Sequence, residues 1–340
     1  MEVFYHAHLF YVKIYPLVPF VLLVDMCFLL AYMRMSVYNA LTSIMKFYIV
    51  TPAFNSLKYL QRCVRSVADQ VCPGVSVHHH VQDGASVDGT AEWLSDWKCA
   101  HDDKEGYTLT FESVRDKGMY DAINKAWAIL PQDADITAHL NSDEQYLPFA
   151  LKQISEKLQS RLDVDIVITS YVVVDENNQY ICHRRPTKPW RWISSISCEI
   201  MTCACFHRVS TFKRHGIRFD DRWKSLGDLA MYREVVNTCP RFLTLPNVWS
   251  SVFSVTGNNL GWSEITHREW PVYVASLPFP LKYMHKIAVY FSNFKRRYCD
   301  WTNPNPDSYE IYPQGASNRK KYSIDNPTAH WGCRANGEDK

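Results

Sequence analysis

The stretch ADITAHLNSDE, residues 134–144, decides which fold the sequence predicts. An apolar run typical of a buried strand ends here in the polar residues Asn141, Ser142, Asp143 and Glu144. Hard cations such as Mg²⁺ and Mn²⁺ prefer carboxylate oxygens and can share the phosphate oxygens of a diphosphate. An exposed polar turn would use the same residue types, because Asn, Ser and Asp readily form turns. The flanking sequence therefore has to distinguish a metal site from a turn.

Strand and helix patterns alternate on both sides of this stretch. The runs at 47–50 and 75–81 are β-rich, and each is followed by a polar loop and then by apolar residues at helical spacing. This order predicts an α/β fold with a mainly parallel sheet flanked by helices. Ligands of such sheets bind beyond the carboxyl ends of the strands, where the loops at 82–90 and 141–144 fall. The sequence thus predicts a ligand site formed by these loops.

Three consecutive histidines, His78, His79 and His80, lie in the second predicted strand. Successive strand residues face opposite sides of a sheet, so the three rings cannot converge on one metal ion. We expect one buried and two exposed imidazoles.

Composition excludes several other classes of protein. The 47% hydrophobic content supports a substantial core, and 37 basic against 35 acidic residues leave a net charge of only +2. That balance gives no electrostatic footprint for nucleic acid, so we expect no nucleic-acid partner. The eleven cysteines are odd in number and scattered, which favours a reducing cytoplasm and buried thiols over a disulfide framework or a zinc site.

Residues 1–44 form an apolar amino-terminal extension whose role stays open. The run at 14–33 is long enough to cross a bilayer, but Asp25 and two prolines oppose a membrane span. A weak membrane anchor, upstream translation before a start at Met45, and a buried helix all fit this pattern.

Five motifs follow one another in a fixed order. They are FYIVTPAFN at 47–55, QDGASVDGT at 82–90, DKGMYDAINK at 116–125, HLNSDE at 139–144 and GDLAMY at 227–232. Together they resemble the family 2 glycosyltransferases, which are inverting enzymes of the Rossmann-like GT-A fold. The resemblance covers residues 45–260, and this range is expected to be the glycosyltransferase domain. It implies transfer of one sugar from a nucleotide-sugar donor, typically UDP-linked, to a hydroxyl of a glycan or lipid-linked acceptor in cell-surface polysaccharide or lipopolysaccharide biosynthesis.

The resemblance also implies roles for individual residues. It assigns nucleotide-sugar binding to Pro52, Ala53, Asn55, Asp83, Asp116, Lys117, Gly118, Asn141 and Ser142, with Asp88 shaping the loop. Asp143 would bind a divalent cation, Mn²⁺ or Mg²⁺, that bridges to the diphosphate as a Lewis acid. Asp228 would be the general base that takes the proton of the attacking hydroxyl. A single displacement of this kind inverts the anomeric configuration.

Two stretches depart from the family pattern. Asn141 replaces the first acid of the DXD-like signature, which lowers the local charge, although Glu144 could compensate. The segment CACFHRVSTF at 203–212 follows the pattern only loosely, and His207 and Arg208 are the acceptor-side candidates within it. The sequence has no QxxRW motif, which favours a single-sugar transferase over a processive synthase. A catalytically silent nucleotide-sugar-binding or assembly module is the alternative, against which the intact Asp83, Asp143 and Asp228 count.

The carboxyl-terminal part divides into two segments. Residues 261–302 are basic and aromatic and predict a helical extension, in which 279–298 either lies on an anionic membrane surface or packs on the catalytic domain. Residues 303–340 are polar and proline-containing, so we expect a poorly ordered tail. The protein is accordingly expected in the cytoplasm, with possible peripheral contact to the inner face of the cell membrane.

Overall fold

A mixed, mainly parallel sheet lies at the centre of the chain. The structure is a computed structural model, and it describes residues 44–101, 104–238, 241–257, 259, 261 and 263–331. The expectations for the amino-terminal extension therefore lie outside the described residues, apart from Ile44. The strands of the sheet are β1 (Met45–Ala53), β2 (Val75–Asp83), β3 (Tyr107–Ser113), β4 (Ile136–His139), β5 (Gln145–Tyr146), β6 (Ile166–Asp175), β7 (Tyr180–Arg184), β8 (Cys205–Arg208) and β9 (Phe242–Val255).

The sheet topology brings the polar loops to one edge. The strand order is β3-β2-β1-β4-β8-β6-β9-β5, with β7 paired to β6. Strands β1 to β4 are mutually parallel, β6 is parallel to β9, and β8 is inserted antiparallel between β4 and β6. The carboxyl ends of β1, β2, β3 and β4 therefore meet at one edge, which the amino-terminal end of β8 shares.

Helices cover both faces of this sheet and extend beyond it. They are α1 (Leu57–Ala68), α2 (Thr90–His101), α3 (Met119–Ala128), α4 (Ala150–Gln159), α5 (Arg191–Ser194), α6 (Val209–His215), α7 (Gly227–Asn237), α8 (Glu264–Ala275) and α9 (His285–Trp301). The predicted basic helix thus begins at His285, and the residues just before it form a short 3-10 turn, Leu281–Tyr283. In the described part of the chain, no helix is long and apolar enough to cross a membrane.

Strand β1 separates two hydrophobic cores. Phe47 and Ile49 pack into one core, whereas Tyr48 and Val50 pack into the other, as the period of two along a strand requires. All four are at most 1% exposed, and burial of each such side chain stabilises the fold by roughly 1.5–3 kcal/mol. The Tyr48 hydroxyl also donates to the carbonyl of Ala126 at 3.0 Å. Because β1 is packed on both faces, the position from which the loop after Ala53 begins is fixed.

The three histidines of β2 are divided between the faces, as strand geometry predicts. The ring of His79 lies 2.9 Å from the Thr51 hydroxyl, whereas His78 and His80 both contact the Thr110 hydroxyl on the neighbouring strand. The expectation of two exposed rings is wrong, because His80 is buried like His79 and His78 is half-buried. The threonine hydroxyl allows this burial, since it gives the second imidazole a hydrogen-bond partner.

The segment after Asn303 forms a hairpin instead of the expected poorly ordered tail. Strands β10 (Ser308–Ile311) and β11 (Lys320–Ser323) pair antiparallel, and Tyr309 and Ile311 are buried against residues of β6 and β9. Tyr309 and Ile311 alternate along β10 and form its apolar face. The polar composition of residues 303–340 as a whole does not reveal this face. Residues 332–340 lie outside the described chain.

This hairpin is attached to the central sheet by polar contacts. The side chain of Gln145 bonds to both the amide and the carbonyl of Tyr312, at 2.8 and 3.2 Å. The Arg319 guanidinium makes two bonds to the Asp69 carboxylate, at 2.6 and 2.8 Å. Gln145 directly follows the acidic loop, residues 141–144, so these contacts of the hairpin hold the end of that loop.

Candidate active site

Asp83 holds together the loop that follows β2. It is paired in register with Ala53 at the end of β1 and is fully buried. Its carboxylate accepts hydrogen bonds from the amide of Ser86 at 3.0 Å, from the Ser86 hydroxyl, and from the Ser113 hydroxyl at 2.5 Å. Both oxygens are thus engaged within the protein, and the side chain fixes the ends of β2 and β3 relative to each other.

Asn55 closes the loop after β1 onto the loop after β2. Its backbone has a φ of 46°, in the left-handed region that Asn tolerates better than most residues. The Asn55 amide donates to the Ser86 hydroxyl at 2.7 Å, and its side-chain oxygen accepts from the amide of Val87 at 3.0 Å. Pro52 and Ala53 therefore lead into a loop pair held by reciprocal bonds.

Asp88 connects the same loop to the first helix. Its carboxylate accepts from the amide of Leu57 at 2.9 Å and from the Thr90 hydroxyl at 2.6 Å. Burial alone would raise the pKa of Asp88, but these hydrogen bonds lower it below its ordinary value. An ionised Asp88 therefore orders the start of both α1 and α2.

The turn at Asp116 joins this group of loops. Its carboxylate accepts from the Gly118 amide at 2.8 Å and packs on Gly84, where an added Cβ would meet the other carboxylate oxygen at 2.7 Å. Gly118 has a φ of 123°, which only glycine adopts without strain. The Lys117 ammonium, by contrast, is largely exposed and lies 3.7 Å from the Asp221 carboxylate.

The acidic loop after β4 holds two oxygen atoms without partners. The amide of Asn141 donates to one oxygen of Glu144 at 2.8 Å. The other Glu144 oxygen and the side-chain oxygen of Asn141 are buried and have no hydrogen-bond partner among the described residues. Burial raises the pKa of Asp143 above its ordinary value, and burial together with the Asp143 charge raises the pKa of Glu144. A cation close by would therefore stabilise the ionised form of both carboxyls.

The residues of this loop fit a divalent cation that takes part of its ligands from a substrate. No three His, Cys, Asp or Glu side chains of the described residues form a complete protein cage. Asn141, Asp143 and Glu144 nevertheless supply hard oxygen donors, two atoms of which lack partners. Mg²⁺ is commonly bound by one or two carboxylates with water and substrate phosphates completing its shell.

Asp228 lies in the first turn of α7, and its backbone amide donates to the hydroxyl of Tyr120, which closely follows the Asp116 turn, at 3.4 Å. The amide of Leu229 donates to one carboxylate oxygen of Asp228 at 2.8 Å, and the other oxygen lies 4.0 Å from the Cys198 sulfur. The Tyr120 ring packs against Gly227, and its hydroxyl donates to the carbonyl of Ser225 at 2.9 Å. Burial raises the pKa of Asp228, which makes its carboxylate a stronger base than an exposed one.

The structure places His207 and Arg208 away from these loops. His207 is buried in β8 between the rings of Phe212 and Tyr232, and burial lowers its pKa to about 4. Arg208 is in register with Ile136, at the start of β4, and donates to backbone carbonyls there. Because β8 is antiparallel, both lie toward the opposite edge of the sheet. Their expected acceptor-side role is therefore corrected to a structural one.

Several residues of the site were not identified from the sequence. Ser86 follows Asp83 by three positions, a spacing at which a carboxylate can accept a backbone amide as a capping residue does, and could have been found from that signal. Ser113, Tyr120 and Cys198 reach the site from other elements of the fold, so no local pattern indicates them.

Comparison with known proteins gives the same fold. A family model described as "Glycosyl transferase family 2" matches residues 48–233, more than half of the 340-residue chain. The crystal structure of S. aureus TarS 1-349 is similar at a TM-score of 0.51 and 18% identity, over 74% of this chain and 72% of that one. The same TarS fragment in complex with UDP-GlcNAc gives 0.53 and 17%, over 73% and 72%.

A third solved structure is the mannosyltransferase PcManGT from Pyrobaculum calidifontis in complex with GDP-Man and Mn²⁺, with a TM-score of 0.46 and 15% identity over 77% of this chain and 84% of that one. No curated protein matches the chain significantly. The α/β fold of GT-A type expected from the sequence is confirmed.

Proposed function

The chain belongs to glycosyltransferase family 2. We propose that it is an inverting enzyme that transfers one sugar from a UDP-linked donor to a hydroxyl group. The observation that supports this most is the meeting of four polar loops, carrying Asp83, Asp116, Asp143 and Asp228. The first three follow parallel strands that end at one edge of the sheet. Tyr120 links the fourth to the Asp116 turn, because it packs against Gly227. The proposed catalytic domain is residues 45–260.

The donor is proposed to bind across the loops after β1, β2, β3 and β4. The residues assigned to the nucleotide sugar are Pro52, Ala53, Asn55, Asp83, Asp116, Lys117, Gly118, Asn141 and Ser142. Asn141, Asp143 and Glu144 would hold a divalent cation, Mn²⁺ or Mg²⁺, which supplies Lewis-acid neutralisation of the leaving diphosphate. For Lys117 the proposal requires the ammonium to leave Asp221, which its large exposure permits.

Asp228 is proposed as the general base. The amide of Leu229 fixes one of its oxygens, so the other can accept a proton from the acceptor hydroxyl. As the acceptor oxygen bonds to the anomeric carbon, the bond from that carbon to the diphosphate breaks and the proton stays on Asp228. This single displacement inverts the configuration at the anomeric carbon. The acceptor is proposed to be a glycan or a lipid-linked glycan of cell-surface polysaccharide or lipopolysaccharide synthesis.

The helix α9 supports a peripheral site at the inner face of the cell membrane. One stripe of it is apolar and exposed, formed by Ile287, Tyr290, Phe294, Tyr298 and Trp301. Exposed basic residues lie beside the stripe, whereas the only acid of the helix, Asp300, pairs inward with His183. Aromatic rings flanked by lysine and arginine are typical of helices that lie in an anionic membrane surface.

Binding of UDP and UDP-sugars to the wild-type protein and to Asp143→Ala, with Mn²⁺ or chelator, tests the donor assignment by calorimetry. We expect metal-dependent binding that the variant loses. Asp228→Asn is the second variant, and it should bind the donor normally but transfer sugar at least about 100-fold more slowly. No nucleotide binding by the wild-type protein would instead favour the silent binding or assembly module.

Flotation with vesicles tests the membrane surface. The triple variant Tyr290→Ser, Phe294→Ser and Trp301→Ser should lose binding to phosphatidylglycerol vesicles. Leu162→Ser removes an equally exposed apolar side chain elsewhere and should bind as the wild type does. Equal binding by all three proteins would exclude this stripe as the membrane contact.

A further inference from the structure

Two arginines from separate elements lie beside the proposed base. Arg296 of α9 donates to the carbonyl of Cys198 at 2.9 Å, and the Cys198 sulfur lies 4.0 Å from the Asp228 carboxylate. Arg184 ends β7, in register with Tyr171 of β6. His183 and Arg185, which flank Arg184, both bond to Asp300 of α9, at 2.7 and 3.2 Å, so the end of β7 packs on the helix that carries Arg296. Burial and then the positive charge of Arg184 lower the pKa of Arg296.

Neither of these arginines forms an ion pair with a carboxylate among the described residues. Arg184 donates one bond to the carbonyl of Ala329 at 3.2 Å, and its Nε is buried with no partner. Glu199 lies nearby, but it accepts from the Lys295 ammonium at 2.6 Å and from the Ser194 hydroxyl at 2.7 Å. Its negative charge is therefore already engaged.

Two adjacent, partly buried cations without a counter-ion are costly unless an anion from outside joins them. Arginine suits such a role because its planar guanidinium donates two parallel hydrogen bonds to a phosphate. The contact of Arg296 with Cys198 leads toward Asp228, where the acceptor hydroxyl is proposed to lose its proton. An anion held there would belong to the same molecule as that hydroxyl.

We propose that Arg184 and Arg296 form a subsite for a phosphate group of the acceptor, so that the acceptor is a phosphate-bearing glycan or glycolipid. This inference rests on the proposed transferase function. It adds the chemical class of the acceptor and two binding residues that the family motifs do not include. The phosphate would orient the acceptor so that one hydroxyl reaches Asp228.

Titration with inorganic phosphate, followed by ³¹P NMR, tests the subsite. The proteins compared are the wild type, the double variant Arg184→Gln/Arg296→Gln, and the control Arg297→Gln, which changes an exposed arginine of the same helix. Each titration is done with and without saturating UDP and Mg²⁺. We expect the wild type and the control to bind phosphate equally under both conditions, and the double variant to bind it at least about tenfold more weakly.

The double variant Arg184→Lys/Arg296→Lys separates binding from folding. It keeps both charges but loses the paired donors, so it should bind phosphate with intermediate affinity and unfold at the wild-type temperature. Equal phosphate affinity in all four proteins would overturn the subsite. Displacement of phosphate by UDP would overturn the acceptor assignment, because the pair would then serve the donor diphosphate. Failure of UDP to bind would contradict the proposed donor, while the phosphate affinities would still decide on the subsite.

Discussion

Replacement of Gly227 by alanine should lower both the stability of the protein and its rate of sugar transfer. An added Cβ would lie 2.4, 2.6 and 2.7 Å from three ring atoms of Tyr120, all closer than the 3.0 Å below which a neighbour has to shift. The ring cannot retreat easily, because it stacks on Phe219 at 4.6 Å between centroids and its hydroxyl is bonded to Ser225. Either Tyr120 or the start of α7, with Asp228, must therefore move.

The size of the effect follows from these distances. A shift of about 1 Å is needed to reach the 3.4 Å of an ordinary contact. Overpacking of this kind costs about 1–3 kcal/mol of the free energy of unfolding. A displacement of about 1 Å in a reacting group can lower the rate about 100-fold. We therefore expect a larger loss in kcat than the loss of folded protein would explain.

Urea unfolding and initial rates of transfer, measured on the same preparations, test this expectation. Gly216→Ala is the matched control, because Gly216 has a φ of 57° but has open space around its Cβ position. It should lose about 1 kcal/mol of stability through backbone strain and retain its full rate. Wild-type stability and rate in Gly227→Ala would refute the argument that the Tyr120 ring fixes the start of α7.

Three further predictions follow from burial. The kcat/KM should fall as pH decreases through the raised pKa of Asp228, because the base must be ionised; a pH-rate profile with an acid limb at the ordinary Asp value of 3.8 would contradict this. Burial lowers the pKa of His79 and His139 to about 3 and of His207 to about 4. Below pH 6.5, the ordinary pKa of histidine, these imidazoles therefore bind protons in the unfolded chain but not in the folded protein. The stability that these imidazoles contribute should be fully present above pH 6.5 and fall toward pH 4 by about 1.4 kcal/mol per pH unit for each imidazole. The buried carboxyls with raised pKa partly offset this loss. Urea unfolding curves from pH 7 to 4.5 that show no decline in stability would contradict this. Ile311→Ala should cost about 2–5 kcal/mol in urea unfolding, since Ile311 is fully buried, whereas alanine at an exposed lysine of the same hairpin should cost almost nothing.

The sequence predicts most of the sheet and its acidic loops correctly. Asp143 is located by the end of a buried apolar run, and Asp83 by the polar, glycine-containing loop that follows an alternating strand. The direction of a strand leaves no such mark. Strand β8 runs antiparallel between two strands that share one direction, and this reversal moves His207 and Arg208 toward the opposite edge.

Contacts between distant parts of the chain also escape sequence analysis. The hydroxyl of Ser113 on Asp83 and the guanidinium of Arg296 on Cys198 depend on which elements pack together. The hairpin at 308–323 escapes for a different reason. Its prolines and charges dominate the composition, while Tyr309 and Ile311 of β10, with Tyr322 and Ile324, suffice to bury one face.

The docking of Tyr312 on Gln145 sets an order of events during translation. These two residues are 167 positions apart, and the loop with Asp143 directly precedes Gln145. A ribosome that adds 5–20 residues per second needs about 8–33 s to synthesise that interval. During this time the acidic loop lacks its contact with Tyr312. The site can therefore become rigid only after the hairpin at 308–323 has been synthesised.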